Sequence, residues 1–419
     1  MGNILRGAAV VGQSGGPTAA INATLAGVIR GCFECSDAIT ELYGMKNGIE
    51  GFLSEKTVSL TELFRLGSEN RADDEKLKLL AQTPAAALGS CRKKLPDPDA
   101  DREFFETLIS LFKKYDIRYF FYIGGNDSMD TVDKLTRYLE KSDYEMRVMG
   151  VPKTIDNDLA ATDHTPGFGS AAKYIASTVS EIIRDCAVYT VPAVTIVEVM
   201  GRDAGWLTAS AGLPALFGKE APDYIYLPEA VFSKVSFISD VRDALDKHPN
   251  VVIAVSEGVR DENGRYAGED AQSGVLDAFG HKYLSGTGKA LEMLVKEKIG
   301  CKVRSVELNI SQRCAGHLQS ATDIEESLAV GKAAVTAAAA GESGAMMSII
   351  RLDGAGYSVD YKAKKISGIA NAVRCVPSDM INSDKNNVTR ACLEYIAPLI
   401  QGEREVVYEN GMPVHFVIK

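Results

Sequence analysis

The chain has little of what would set it apart from ordinary soluble proteins. Its opening, MGNILRGAAVVG, lacks an apolar core of the length a signal peptide needs. Nor is there a membrane span: the most apolar-looking stretch, Ala333 to Ala340, is a short alanine run between Lys332 and Glu342 and predicts a packed helix. The five histidines show no metal-ligand spacing, and repeats and low-complexity linkers are absent. Positive charge is in deficit. With 46 Lys and Arg against 56 Asp and Glu, the net charge of −10 argues against a nucleic-acid partner, which wants a basic face. Anionic substrates must then be held by local clusters of Lys and Arg. Eight cysteines scattered over 419 residues without framework spacing suggest reduced thiols and a cytoplasmic location. Cys32 and Cys35 form a CxxC, but no second pair or paired histidines accompany it, so structural or inert thiols are expected rather than a zinc or redox site.

What is present is an α/β pattern. The length exceeds what one core usually supports, so two domains are expected. Strand-like runs at Ala8 to Val11, Arg118 to Ile123, Glu145 to Val151, Val194 to Val199, Tyr224 to Leu227 and Val251 to Val255 alternate with helical stretches. The helices fall at Ala19 to Arg30, Asp130 to Leu139, Ser170 to Cys186 and Val235 to Lys247. Such alternation predicts parallel, Rossmann-like sheets covered on both faces, in two units.

Three loops follow strands and carry phosphate-like chemistry. Gly12 to Thr18 (GQSGGPT) and Gly124 to Ser128 (GGNDS) each lie between a strand and a helix, where backbone N–H groups and the helix dipole favour an anion. Pro152 to Asp158 (PKTIDND) packs a cation, a hydroxyl and two carboxylates into one turn. If extended, it would point Asp156 and Asp158 to the same side. Two such carboxylates repel unless a metal ion or proton transfer keeps them together. A solvated Asx turn is the plainer alternative for this string.

These residues, with LGSCR (Leu88 to Arg92), EVMGRDAGWL (Glu198 to Leu207), SEG (Ser256 to Gly258) and the pair Gln312-Arg313, closely resemble the phosphofructokinase family in its pyrophosphate-dependent form. The resemblance runs from the first loop to about residue 313. It implies two parallel-sheet domains, residues 1–160 plus 312–350 for pyrophosphate and Mg²⁺ and residues 161–311 plus 351–419 for the sugar phosphate, with the active site in the cleft between. The implied reaction is reversible phosphoryl transfer from pyrophosphate to the 1-hydroxyl of fructose 6-phosphate, usable in glycolysis or gluconeogenesis. The alternatives are an ATP-dependent enzyme and a non-catalytic regulatory paralogue.

The resemblance also implies roles. Asp156 is the base, with Lys153 and Thr154 beside it. Gly16, Arg92, Asn126, Asp127 and Lys153 face the donor, while Thr154, Asp156, Met200, Gly201, Arg202, Glu257, Arg304 and Arg313 face the sugar phosphate. Asp127 and Asp158 serve Mg²⁺. Where ATP-using relatives carry glycine, this chain has Asp127 and Lys153: the carboxylate fills the place of a nucleotide's α-phosphate, and the ammonium neutralises the terminal oxygens of free pyrophosphate. Three positions depart from the pattern: Asn126 replaces a metal-linked carboxylate, Ile310 a polar ring, and Ala193 an arginine that short bacterial relatives contribute from a neighbouring subunit. A homodimer or homotetramer is implied, and recognition of the 6-phosphate must be partly rebuilt, for instance by Lys or His residues of the tail.

Overall fold

The structure, a computed structural model, describes residues 5–269, 286–370 and 372–418. Its strands in chain order are β1 (Gly7–Gln13), β2 (Ile39–Met45), β3 (Thr57–Ser59), β4 (Ile117–Gly124), β5 (Arg147–Pro152), β6 (Ala193–Val199), β7 (Tyr224–Tyr226), β8 (Asn250–Ser256), β9 (Lys302–Glu307), β10 (Ala345–Arg351), β11 (Val359–Lys365), β12 (Tyr408–Glu409) and β13 (Met412–Pro413). Seven form one sheet in the order β11-β10-β5-β4-β1-β2-β3, and four form a second in the order β7-β8-β6-β9. The second sheet is parallel throughout, and the first is parallel apart from its two outer strands, β3 and β11.

The central strands explain themselves. IRYFFYIG of β4 and NVVIAVS of β8 are apolar on successive residues because helices cover both faces of a parallel sheet, so no face is left for polar residues. Phe120 packs into one core and Phe121 into another, on opposite sides of β4. Helix Ile21–Glu34 crosses helix Ala321–Ala339 at backbone contact. A Cβ added at Gly331 would lie 2.3 Å from the Thr24 carbonyl oxygen, and one at Gly27 would lie 2.1 Å from that of Leu328. Only glycine admits so close a crossing. The alanine run expected to form a packed helix ends that second helix.

The two units are bonded at their junction. Asp323, buried at the start of helix Ala321–Ala339, accepts from Gly167 N–H (2.8 Å) and Ser170 N–H (2.9 Å), and so caps helix Phe168–Cys186, which packs in the core of the smaller sheet.

The tail differs from the expected assignment of 351–419 to the second unit. β11 is the antiparallel partner of β10 in the larger sheet, since the seven residues between them are too few to leave it. Helix Arg390–Ile396 does join the second core. The chain then returns, Gln82 Nε2 donating to the carbonyls of Val407 (3.2 Å) and Val414 (2.7 Å) and Phe416 packing on Phe64. Among the described residues, no helix is long and apolar enough to cross a membrane.

Candidate active site

A cavity of about 470 Å³ opens beyond the carboxyl ends of β1, β4 and β5 on one side and β6 and β8 on the other. Fourteen positions were expected here by role, and twelve of them line it: Gly201 does not, although its N–H bonds to the lining residue Glu257, and Arg304 lies elsewhere. The lining sets Arg92, Lys94, Lys153, Arg202 and Arg313 against Asp127, Asp156, Asp158, Asp203 and Glu257. A chain of net negative charge thus gathers its cations locally.

On the donor side β5 ends at Pro152, paired with Gly124, and delivers Lys153 to a site where it is 2% exposed. Its ammonium donates to the Gly16 carbonyl at 2.6 Å. Burial pushes the Lys153 ammonium down to about 8, and the neighbouring Asp156 opposes that shift. The first loop fits closely around these cations: Gly15 has φ +76°, and a Cβ on Gly16 would stand 3.4 Å from the Arg313 guanidinium. The GGNDS loop is shorter than the sequence suggests. The helix begins at Asn126 rather than Asp130, so Asp127 occupies its first turn, where the helix dipole favours a carboxylate, and it pairs with Lys94 at 3.3 Å.

The carboxylates share the cavity for a different reason from the one expected. Residues 156–158 are a turn, with Asn157 at φ +54°, instead of an extended run. Asn157, fully buried, holds it by accepting from Thr165 N–H (3.1 Å) and donating to the Tyr395 hydroxyl (3.0 Å). Thr154 Oγ1 donates to Asp156 Oδ2 (3.4 Å) and accepts from Asp156 N–H (3.1 Å). Burial raises the Asp156 carboxyl, with the Lys153 ammonium working against it. Burial together with the charge of Asp156 pushes Asp158 up to about 7. Asn126 Nδ2 donates to Asp158 Oδ2 at 3.0 Å, which leaves Asn126 Oδ1 buried and without a hydrogen-bond partner.

The acceptor side is built from β6 and β8. Gly201, at φ +136°, donates its N–H to Glu257 Oε1 (3.2 Å), and a side chain there would strike the Ala204 carbonyl. Burial pushes the Glu257 carboxyl up to about 8, with the Gly201 N–H acting against the shift. Gln312 Oε1 accepts from Met200 N–H (3.2 Å), which ties the Gln312-Arg313 segment to this loop.

Arg304 departs from expectation. β9 is the outer strand of the smaller sheet, and it carries Arg304 to a shallow surface depression with Ala193, Tyr189 and Lys302, where it pairs with Asp185 at 4.0 Å. Within one chain it is not part of the cleft. Ile310 is exposed and does not line the cavity. Of the tail, Val373 lines the cavity, and among the described residues no tail Lys or His does. The reading of residue types passed over Lys94, two residues beyond Arg92, and Asp203, inside a quoted motif; proximity to assigned residues was the available signal. Arg374 and Tyr395 carried none, because they meet the turn only in space.

The phosphofructokinase family model matches residues 8–338. The chain is 40% identical over 405 residues to a pyrophosphate–fructose 6-phosphate 1-phosphotransferase of Halomonas elongata, covering 96% of this chain and 93% of that protein. It is 39% identical over 404 residues to the protein of the same name from Methylococcus capsulatus, with the same coverage. The crystal structure of a pyrophosphate-dependent phosphofructokinase from Nitrosospira multiformis superposes with a TM-score of 0.86 at 37% identity, covering 98% of this chain and 96% of that one. With a cleft of this design and likeness along nearly the whole chain, the protein belongs to the phosphofructokinase family.

Proposed function

We propose that the chain is a pyrophosphate-dependent phosphofructokinase, which transfers a phosphoryl group reversibly between pyrophosphate and the 1-hydroxyl of fructose 6-phosphate. The products are fructose 1,6-bisphosphate and phosphate, and the step serves glycolysis or gluconeogenesis. The observation that carries this reading is the buried ammonium of Lys153, held against the first glycine loop beside Asp156. A cation so placed meets the oxygens of a small anion, and Asp127 at the mouth charges the place a nucleotide's α-phosphate would take.

Asp156 takes the proton from the sugar 1-hydroxyl as that oxygen bonds to phosphorus and the bond to the departing phosphate breaks. Thr154, bonded to it, fixes its orientation. Arg92, Lys153 and Arg313 meet the negative charge of donor and leaving phosphate. Met200, Gly201, Arg202 and Glu257 hold the sugar; with its carboxyl raised to about 8, Glu257 can donate to a hydroxyl as well as accept from one.

Mg²⁺ fits the residues present. Asp158 and the unpartnered Asn126 Oδ1 would hold it, and Asp127 adds charge nearby. Few protein ligands suit an ion that keeps waters and binds largely through substrate phosphates. When bound it shields the charge of the donor oxygens.

We further propose a cytoplasmic homodimer or homotetramer in which Arg304 reaches the 6-phosphate in a neighbouring subunit's cleft.

Initial rates with fructose 6-phosphate and either pyrophosphate or ATP test the donor. Pyrophosphate should support turnover and ATP little or none; the reverse result rejects the reading. Asp156→Ala should lower kcat by several orders of magnitude while fructose 6-phosphate still binds, and a variant retaining a tenth of the rate would remove Asp156 from the base role.

A further inference from the structure

Residues 373–376 of the tail run between the carboxylate turn and the acceptor loop and bond to both. On one side Arg374 N–H donates to the Asp158 carbonyl at 2.8 Å, beside a bridge between Leu159 and Val373. On the other, Trp206 Nε1 donates to the Arg374 carbonyl (3.0 Å), and Cys375 Sγ donates to the Asp203 carbonyl (3.3 Å). Glu229 Oε1 completes the junction by accepting from both Val376 N–H and Gly205 N–H at 2.8 Å. Asp203, Gly205 and Trp206 directly follow the Met200-Gly201-Arg202 contacts, so one residue, Arg374, links the backbone of the turn to the loop that holds the sugar.

The Arg374 side chain locks this link. Its guanidinium lies 4.6 Å from the centre of the Trp206 ring and 5.2 Å from that of Tyr395. Arg374 Nη1 donates to the Tyr395 hydroxyl at 3.1 Å. That hydroxyl also accepts from Asn157 Nδ2 and donates to the Asp163 carbonyl at 2.7 Å. A phenol donates once and accepts twice, so this oxygen is fully used. Two of its three partners, Asn157 and Asp163, lie in the segment that carries the reactive carboxylates.

We propose that residues 373–376 are a positioning strap, which with Arg374 and Tyr395 fixes the separation between the carboxylate turn and the sugar-binding loop. The inference rests on the phosphoryl-transfer reading. Neither Arg374 nor Tyr395 lines the cavity; each acts through Asn157, Asp158 and Trp206. In-line transfer tolerates little misplacement, and a displacement of about 1 Å costs on the order of 100-fold in rate.

The test is Tyr395→Phe and Arg374→Met, each measured against a wild type first shown to turn over with pyrophosphate. Tyr395→Phe keeps the ring and removes only the hydroxyl node. We expect kcat to fall roughly 30- to 100-fold with KM for both substrates within about 3-fold. The double variant should lose no more than the worse single one, because both sever the same link. Hydrogen exchange, read without substrate, should quicken at the amides of 156–159 and of 203–206 together. Wild-type kcat and exchange in Tyr395→Phe, or a loss of rate that only tracks the unfolded fraction, would overturn the proposal. A wild type inactive with pyrophosphate would reject the phosphoryl-transfer reading, while the exchange experiment would still decide on the strap.

Discussion

At the scale of single residues, burial pushes four ionisable groups of the cleft, Lys153, Asp156, Asp158 and Glu257, toward neutrality. On the mechanism proposed above, pyrophosphate capture works with the Asp156–Asp158 pair charged, to hold Mg²⁺, and with Lys153 protonated. The carboxyl of Asp158 is raised to about 7, so the competent form is lost as pH falls below that value; the ammonium of Lys153 is lowered to about 8, so the competent form is lost as pH rises above it. The expected profile of kcat/KM for pyrophosphate is therefore a narrow bell between these flanks, measured over about pH 5.5 to 9.5. A profile lacking its acid flank would dissociate Asp158 from donor binding, and one lacking its alkaline flank would dissociate Lys153. Residue types and order brought Lys153, Asp156 and Asp158 to notice, because they sit just past a strand whose apolar run is visible, and the family resemblance added Glu257. They did not suffice for Arg304, whose address depends on which strand lies at the sheet edge, nor for Tyr395, whose contacts span more than 200 positions of chain.

At the scale of elements, strands were legible because parallel pairing buries both faces and leaves an unbroken apolar run, as in β4. Helix boundaries were less so: Asn126 looks like loop chemistry, yet it opens a helix capped by the extended Gly125. The crossing of helices Ile21–Glu34 and Ala321–Ala339 was invisible, since glycine in a helix reads only as a weak helix former. Its physical cost is concrete. Gly331→Val would force side-chain atoms into the Thr24 carbonyl, and the two helices would have to part, at on the order of 1–3 kcal/mol. A lowered urea midpoint is expected, with kcat nearly retained in the folded fraction; an unchanged midpoint would show that the crossing yields easily.

At the scale of the whole molecule, the two sheets present one cleft, and the tail visits both units before finishing on the first. The separation of Arg304 from its own cleft leads to a prediction about assembly. If the proposed sharing of sites holds, Arg304→Ala and Asp156→Ala chains, each nearly inactive alone, should regain on the order of a quarter of the activity when mixed as dimers and allowed to exchange subunits, because one site of each hybrid is intact. No recovery in subunit-exchanged mixtures would confine Arg304 to its own chain.

The position of β10 has a temporal consequence. It pairs directly with β5, yet about 200 residues of chain lie between them. At roughly 5–20 residues per second of synthesis, the apolar edge of β5 emerges from the ribosome on the order of 10–40 s before the strand that seals it. For that interval a nascent polypeptide carries an open sheet margin, a template for wrong pairing, which makes chaperone cover most valuable while the second unit is being translated.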